Sequence, residues 1–228
     1  MFDSEEYLKV KYPKNSNEWY PSKLAELLIK RFSLDNSIFD IGCGQGDMLR
    51  AFDREGLSCK GVDLSPSSKE RCSPIEVLIH DLSKELPLED CSISNIFSKS
   101  VIEHLTNPIL LLKEMHRTLE VEGKIIVMTP SWEHTYWGPF YIDPTHIRPF
   151  TKKSLEDAMK MSGFKEVKVE YFYQLPFLWK FPFLKPAINL FSKIPLPYRP
   201  YKNSFLPERV NKLIRFSKEV MLLGYGVK

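Results

Sequence analysis

Three glycines stand at alternate positions, Gly42, Gly44 and Gly46, between the carboxylates of Asp40 and Asp47 in the stretch FDIGCGQGD. Glycine lets a backbone approach a ligand closely and adopt left-handed dihedrals. A dinucleotide-binding turn repeats glycine as GxGxxG, and here Asp47 occupies the third glycine's place. Asp40, two residues before Gly42, would repel a pyrophosphate and attract an ammonium group. Further on, Asp63 closes the run SCKGVD, where a carboxylate can accept from both hydroxyls of a ribose. Asp81 follows IEVLIH, where it can accept from an adenine amino group while Leu82 covers the ring.

These acids meet only if short strands deliver them to one edge of a sheet. SIFDIG is an apolar run ending in a glycine, as a buried parallel strand does, and SCKGVDLS and IEVLIHDL read as the next two strands. Between the first two, DMLRAFDREG carries Met48, Leu49 and Phe52 on one helical face and ends at Gly56. ISNIFSK opens a fourth strand. Asn107-Pro108 starts a helix, with Asn as cap and Pro at the first helical position. KIIVMTP is a fifth strand, TKKSLEDAMKMSG a capped helix, FKEVKVEYFY a sixth strand and EVMLLGYGVK a seventh. Strands alternating with helices predict a doubly wound, mainly parallel, seven-stranded α/β sheet, in which ligands sit beyond the carboxyl ends of the strands. A ligand that needs partners for an ammonium, a ribose and an adenine is S-adenosylmethionine.

FDIGCGQGDML, GVDLS, HDLSKELPLEDCSISNIFSKSVIEHL and GKIIVMTP, in this order, resemble the class I S-adenosylmethionine-dependent methyltransferases over roughly Ile38 to Phe172. The resemblance implies a Rossmann-like methyltransferase fold. It also implies that Asp40, Gly42, Cys43, Gly44 and Gly46 hold the methionine end of the cofactor. Asp63 and Leu64 would hold the ribose, Asp81 and Leu82 the adenine, and Ser98 would line the cofactor after the fourth strand. Many relatives have Pro-Gly before the fifth strand, where this chain has Glu122-Gly123.

A sulfonium methyl is already electrophilic, so the protein has to align an acceptor and, for a hydroxyl, supply a base. Two stretches offer a histidine. SVIEHL places Glu103 beside His104 and resembles the ubiquinone-pathway O-methyltransferases, whose related segment binds a divalent metal through two acids and a histidine. Ser100 takes the place of the first acid, and no metal site is expected. YIDPTHIRPFT lies on the acceptor side and resembles an Asp-x-Thr-His-x-Arg-x-Phe pattern of small methyltransferases of bacterial glycan and lipopolysaccharide synthesis. Here His146 is the candidate base and Asp143 the group that would orient its ring. Arg148 either binds an anionic acceptor or pins the loop. Trp132, Tyr136, Trp137, Phe140 and Tyr141 are candidates for an acceptor wall or for core packing, with His134 beside them, while Trp19 and Tyr20 are candidates to close the cofactor pocket.

The stretch from Gln174 to Lys218 stands apart. It carries nine basic residues against one acid, Glu208, in a chain whose net charge is only +3. Its prolines and aromatics describe an insert before the last strand of a single domain spanning 1–228. The insert is either a lid or a contact with an anionic membrane surface. Nucleic acid is not expected as a partner, since the charge outside the insert is acidic and no RNA-binding module or Asn/Asp-Pro-Pro-Tyr motif is present. Four cysteines without a CxxC pair and an N-terminus without an apolar core predict a cytoplasmic protein, peripheral at the inner membrane face if the insert binds lipid. Together these features predict O-methylation of a sugar hydroxyl in a surface glycan or its lipid-linked precursor. The alternatives are a quinone-type or small aromatic acceptor, and a regulatory protein that binds the cofactor without turnover.

Overall fold

The computed structural model describes residues 4–11, 18–137, 139–194, 196 and 207–228. Seven strands form one sheet: β1 (Ser37–Ile41), β2 (Ser58–Asp63), β3 (Glu76–Ile79), β4 (Ile93–Lys99), β5 (Leu119–Pro130), β6 (Lys165–Phe172) and β7 (Met221–Val227). Their order is β3-β2-β1-β4-β5-β7-β6. β1 is parallel to β2 and β4, and β5 to β4, while β7 runs antiparallel between β5 and β6. The strand order reverses between β1 and β4, which opens a crevice at their carboxyl ends.

The central strands are apolar on both faces, and their alternation splits the core in two. Phe39, Ile41, Ile96, Ile125, Val127 and Leu222 pack on one side against α5 (Pro108–Thr118) and α7 (Lys152–Met161). Ile38, Phe97, Ile126, Met128 and Leu223 pack on the other side against α2 (Trp19–Phe32) and α3 (Asp47–Arg54). A short helix α1 (Ser4–Lys11) lies at the chain's start, α4 (Ser67–Cys72) follows β2, and α6 (Trp132–Thr135) follows β5. α8 (Pro176–Lys180), α9 (Lys185–Ser192) and α10 (Glu208–Lys218) fill the stretch between β6 and β7.

Local signals act largely as expected. Thr151 caps α7 with a capping box shared with Ser154, and Gly163 beyond it has φ of +103°. Asn107 stands at the N-cap of α5 without a side-chain cap bond. β5 begins at Leu119, ahead of Gly123. No helix among the described residues is long and apolar enough to cross a membrane.

Candidate active site

The turn after β1 is made of glycines because little else fits. Gly42 has φ of +76°, and a Cβ there would lie 2.3 Å from Val101 Cγ2. At Gly46, with φ of +81°, a Cβ would lie 2.7 Å from Cys72 Sγ. The turn is fastened to β2: Gly42 and Cys43 N–H both donate to the Val62 carbonyl, and Gly44 N–H donates to Asp63 Oδ2 at 2.8 Å. Asp63 Oδ1 accepts from Ser65 N–H at 2.9 Å. The carboxylate expected to face a ribose therefore also clamps the glycine turn. Asp81 Oδ1 accepts from the backbone and hydroxyl of Ser83, and these bonds hold its carboxyl below the usual range.

Two clefts adjoin this turn. One of about 470 Å³ is lined by Asp63, Leu64, Asp81, Leu82 and His104, and is covered by Ser4, Tyr7 and Leu8 of α1. The other, of about 270 Å³, is lined by Tyr20, Asp40, Cys43 and Gln45. They share Gly42, Gly44, Lys99 and Ser100. Both volumes are of the order of ligand pockets. Two expected cofactor residues stand outside them. Gly46 is turned beneath Cys72, and Ser98 is buried, its hydroxyl donating to the Ile41 carbonyl at 3.1 Å. Strand alternation turns Ser98 into the sheet, and the next residues, Lys99 and Ser100, reach the cleft instead. Tyr20 lines the smaller cleft, whereas Trp19 is 58% exposed.

Asp40 decides what the smaller cleft suits. It is 3% exposed, and burial, with the Asp63 charge adding, pushes its carboxyl up to about 8. An acid held in this way gains most from a cation brought beside it. The donor set is compatible with S-adenosylmethionine: Asp40 would face the ammonium, Asp63 the ribose, and Asp81 with Leu82 the adenine.

A third cavity, of about 360 Å³, meets both clefts at Lys99 and Ser100 and is lined by His104, Phe140, Asp143, His146, Gln174 and Arg215 among others. His146 Nδ1 lies 2.7 Å from the Phe140 carbonyl oxygen. A carbonyl only accepts, so the proton sits on Nδ1 and the lone pair on Nε2. His146 Nε2 is 3.9 Å from Glu103 Oε1. Glu103 is fully buried, its Oε2 accepts from Thr129 Oγ1 at 2.9 Å, its Oε1 has no hydrogen-bond partner among the described residues, and burial pushes it up to about 7. Sequence reasoning gave Glu103 no catalytic place. Its signals were adjacency to His104 in SVIEHL and the likeness of that segment to a metal-binding one.

The loop separates the readings open for its residues. Phe140, not Asp143, orients the His146 ring; the Asp143 carboxylate accepts from Tyr7 Oη at 2.9 Å and from the backbone and hydroxyl of Thr145. Thr145 Oγ1 in turn lies 2.8 Å from His104 Nδ1, so Asp143 acts on the other histidine through a threonine. Arg148 lies outside the chamber: the backbone of Ile147 and Arg148 is tied to the Glu103 carbonyl, and the guanidinium donates to the Thr106 carbonyl at 2.6 Å. Of the aromatics, Phe140 lines the chamber, whereas His134 of α6, with Tyr136 and Trp137 just after it, lines a separate cavity against Lys218 and α9. Where no metal site was expected, Glu103, His104 and His146 bring one ligand atom each within 4.8 Å of one another.

Residues 16–169 match the model of a methyltransferase domain. The chain belongs to the methyltransferase-domain family. The matched stretch of this methyltransferase domain ends before the insert. A probable S-adenosylmethionine-dependent methyltransferase of Mycobacterium tuberculosis is 28% identical over 140 residues, which is 57% of this chain and 49% of that protein. The demethylmenaquinone methyltransferase of Tropheryma whipplei is 27% identical over 109 residues, 46% of each chain. The chain thus spans about half the length of these curated relatives. A solved SAM-dependent methyltransferase from Archaeoglobus fulgidus aligns with a TM-score of 0.67 over 97% of this chain and 99% of its own, at 20% identity. That likeness establishes the Rossmann-like methyltransferase fold, and both the Mycobacterium tuberculosis and the Archaeoglobus fulgidus proteins are named as dependent on S-adenosylmethionine.

Proposed function

We propose that this chain methylates a hydroxyl of a sugar in a surface glycan or its lipid-linked precursor, with His146 as the base. The supporting observation is that His146 lines a chamber meeting the cofactor clefts at Lys99 and Ser100. When bound, the cofactor supplies a methyl on a sulfonium, which an in-line nucleophile can take. His146 Nε2 would receive the acceptor's hydroxyl proton as the acceptor oxygen takes the methyl from the sulfonium, which would leave as a neutral thioether. Phe140 fixes the tautomer that makes this nitrogen basic, and the Glu103 carboxylate 3.9 Å away stabilises the imidazolium that results. Gln174, Arg215 and Glu219 add polar lining suited to a polyhydroxylated acceptor.

The test is turnover by His146→Ala over a panel of nucleotide sugars, lipid-linked sugars and quinols. Turnover should fall roughly 10²–10⁴-fold, with SAM affinity unchanged. Equal turnover would remove His146 as the base. Loss on chelation with recovery on a divalent cation would make His146 a ligand, through the cluster it forms with Glu103 and His104. Methylation of quinols alone would favour the second reading, an aromatic acceptor, which the likeness to a demethylmenaquinone methyltransferase supports. Cofactor hydrolysis with no acceptor methylated would indicate a regulatory role.

A further inference from the structure

We propose that the outer face of the segment 181–194 docks on an anionic lipid surface. This goes beyond the assignment of an acceptor and stands without it, although it would bring a lipid-linked substrate to the chamber. α9 and the single turn Pro182–Leu184 before it are apolar on two sides. On the inner side, Leu184 and Ile188 pack on the cluster of Tyr173, Leu175, Leu178 and Val220. On the outer side, Phe183 is 73% exposed, Leu190 69% and Ile194 47%. Leu190 lies on α9, Phe183 in the turn before it and Ile194 just past its end, so the three follow one another along the segment.

The segment is held in place, so the outer stripe is a built surface. Lys218 Nζ donates to the carbonyls of Ser192 and Ile194, both at 2.7 Å, and so caps the end of α9 from α10. Exposed apolar side chains gathered on a fixed segment mark a contact surface, and their setting selects the partner.

That setting is cationic. From Tyr171 to Pro207 the sequence has five basic residues and no carboxylate. Arg199 and Lys202 lie outside the described residues. Lys180, Lys185 and Lys193 flank the stripe and form no ion pair among the described residues, and Lys30 of α2 lines the same cleft as Pro182 and Lys185. The nearby acids are engaged elsewhere, Glu170 with Arg31 and Glu26 with Lys23. Aromatic and aliphatic tips ringed by lysines match the boundary between anionic headgroups and acyl chains. A protein partner would have to set a carboxylate against each of these lysines, whereas anionic headgroups supply charge across the whole face.

The experiment is flotation of the full chain with vesicles of phosphatidylcholine alone and of phosphatidylcholine mixed with phosphatidylglycerol. Binding to the mixed vesicles should be roughly a hundredfold tighter, since each of three lysines near an anionic surface contributes about fivefold, and it should weaken in high salt. The double variant Phe183→Ser/Leu190→Ser and the triple variant Lys180→Gln/Lys185→Gln/Lys193→Gln should each lose most of that binding while keeping wild-type SAM affinity. Equal, weak partition to both vesicles would overturn the proposal. So would wild-type binding by the serine variant, which would leave charge alone as the cause, as for any polyanion. Dimerisation abolished by Leu190→Ser would instead make the stripe a contact between copies. The readout is binding, so failure here leaves the proposed turnover untouched.

Discussion

Asp40 connects burial to ligand binding through a proton. Its carboxyl is pushed up to about 8 by burial, with Asp63 adding and Lys99 opposing. In the free protein at neutral pH it therefore holds a proton. A cofactor ammonium beside it favours the ionised form, so below pH of about 8 binding must expel that proton. The sign follows: SAM affinity should rise with pH by up to tenfold per unit below about 8, then level off. Calorimetry in buffers of different ionisation enthalpy should show proton release at neutral pH, and Asp40→Asn should remove both the slope and the release. An affinity flat across this range would detach Asp40 from the ammonium. The same shift acts on the free fold. Between about 4 and about 8 the folded state keeps a proton that the unfolded chain has lost, so Asp40's share of stability declines as pH rises through that window.

At the scale of elements, the glycine turn separates conformation from crowding. Gly56 and Gly42 both have positive φ, +91° and +76°, but a Cβ at Gly56 meets nothing within 4 Å while one at Gly42 meets Val101 at 2.3 Å. Gly56→Ala should cost only the left-handed backbone, about 1 kcal/mol. Gly42→Ala should add overpacking of roughly 1–3 kcal/mol, read as a melting temperature lower by a further 2–4 °C or so per kcal/mol, with weakened SAM binding. Equal losses would mean Val101 yields freely. The strands were legible because SIFDI and KIIVMTP are apolar runs that only a doubly covered sheet can bury. α4 was not, since SSKERC has no apolar periodicity and is fixed by packing Cys72 against Cys43, Leu49 and Val77. In the site, residue types carried further than orientations. The turn glycines act through their own backbone dihedrals, and Asp63 through its place at a strand end, both of which the sequence encodes. The His146 ring is set by a main-chain carbonyl of Phe140 and faces a glutamate 43 positions earlier, relations that arise only once loop and sheet have packed.

The whole molecule joins these parts at a single wall. Lys99 and Ser100 line all three cavities, whereas Arg215 and Phe216 of α10 line the acceptor chamber and neither cofactor cleft. On the proposed reading the insert would complete the acceptor side, while the matched family region, residues 16–169, would carry most of the cofactor side. Arg215 Nε donates to Glu219 Oε2 at 2.7 Å, a pair that presents a fixed charge pattern to the chamber. Arg215→Ala should therefore leave SAM affinity within about twofold and reduce acceptor kcat/KM by at least tenfold, the loss expected when a charge-assisted hydrogen bond worth roughly 1.5–3 kcal/mol goes. Lys99→Met should alter both, because burial already holds the Lys99 ammonium below its usual range and Glu103, Asp40 and Asp47 all sense its charge. Paired isothermal titration and steady-state kinetics on the two variants separate the outcomes. If Arg215→Ala weakens SAM as much as it weakens the acceptor, the insert belongs to the cofactor site and the division of labour between sheet and insert fails.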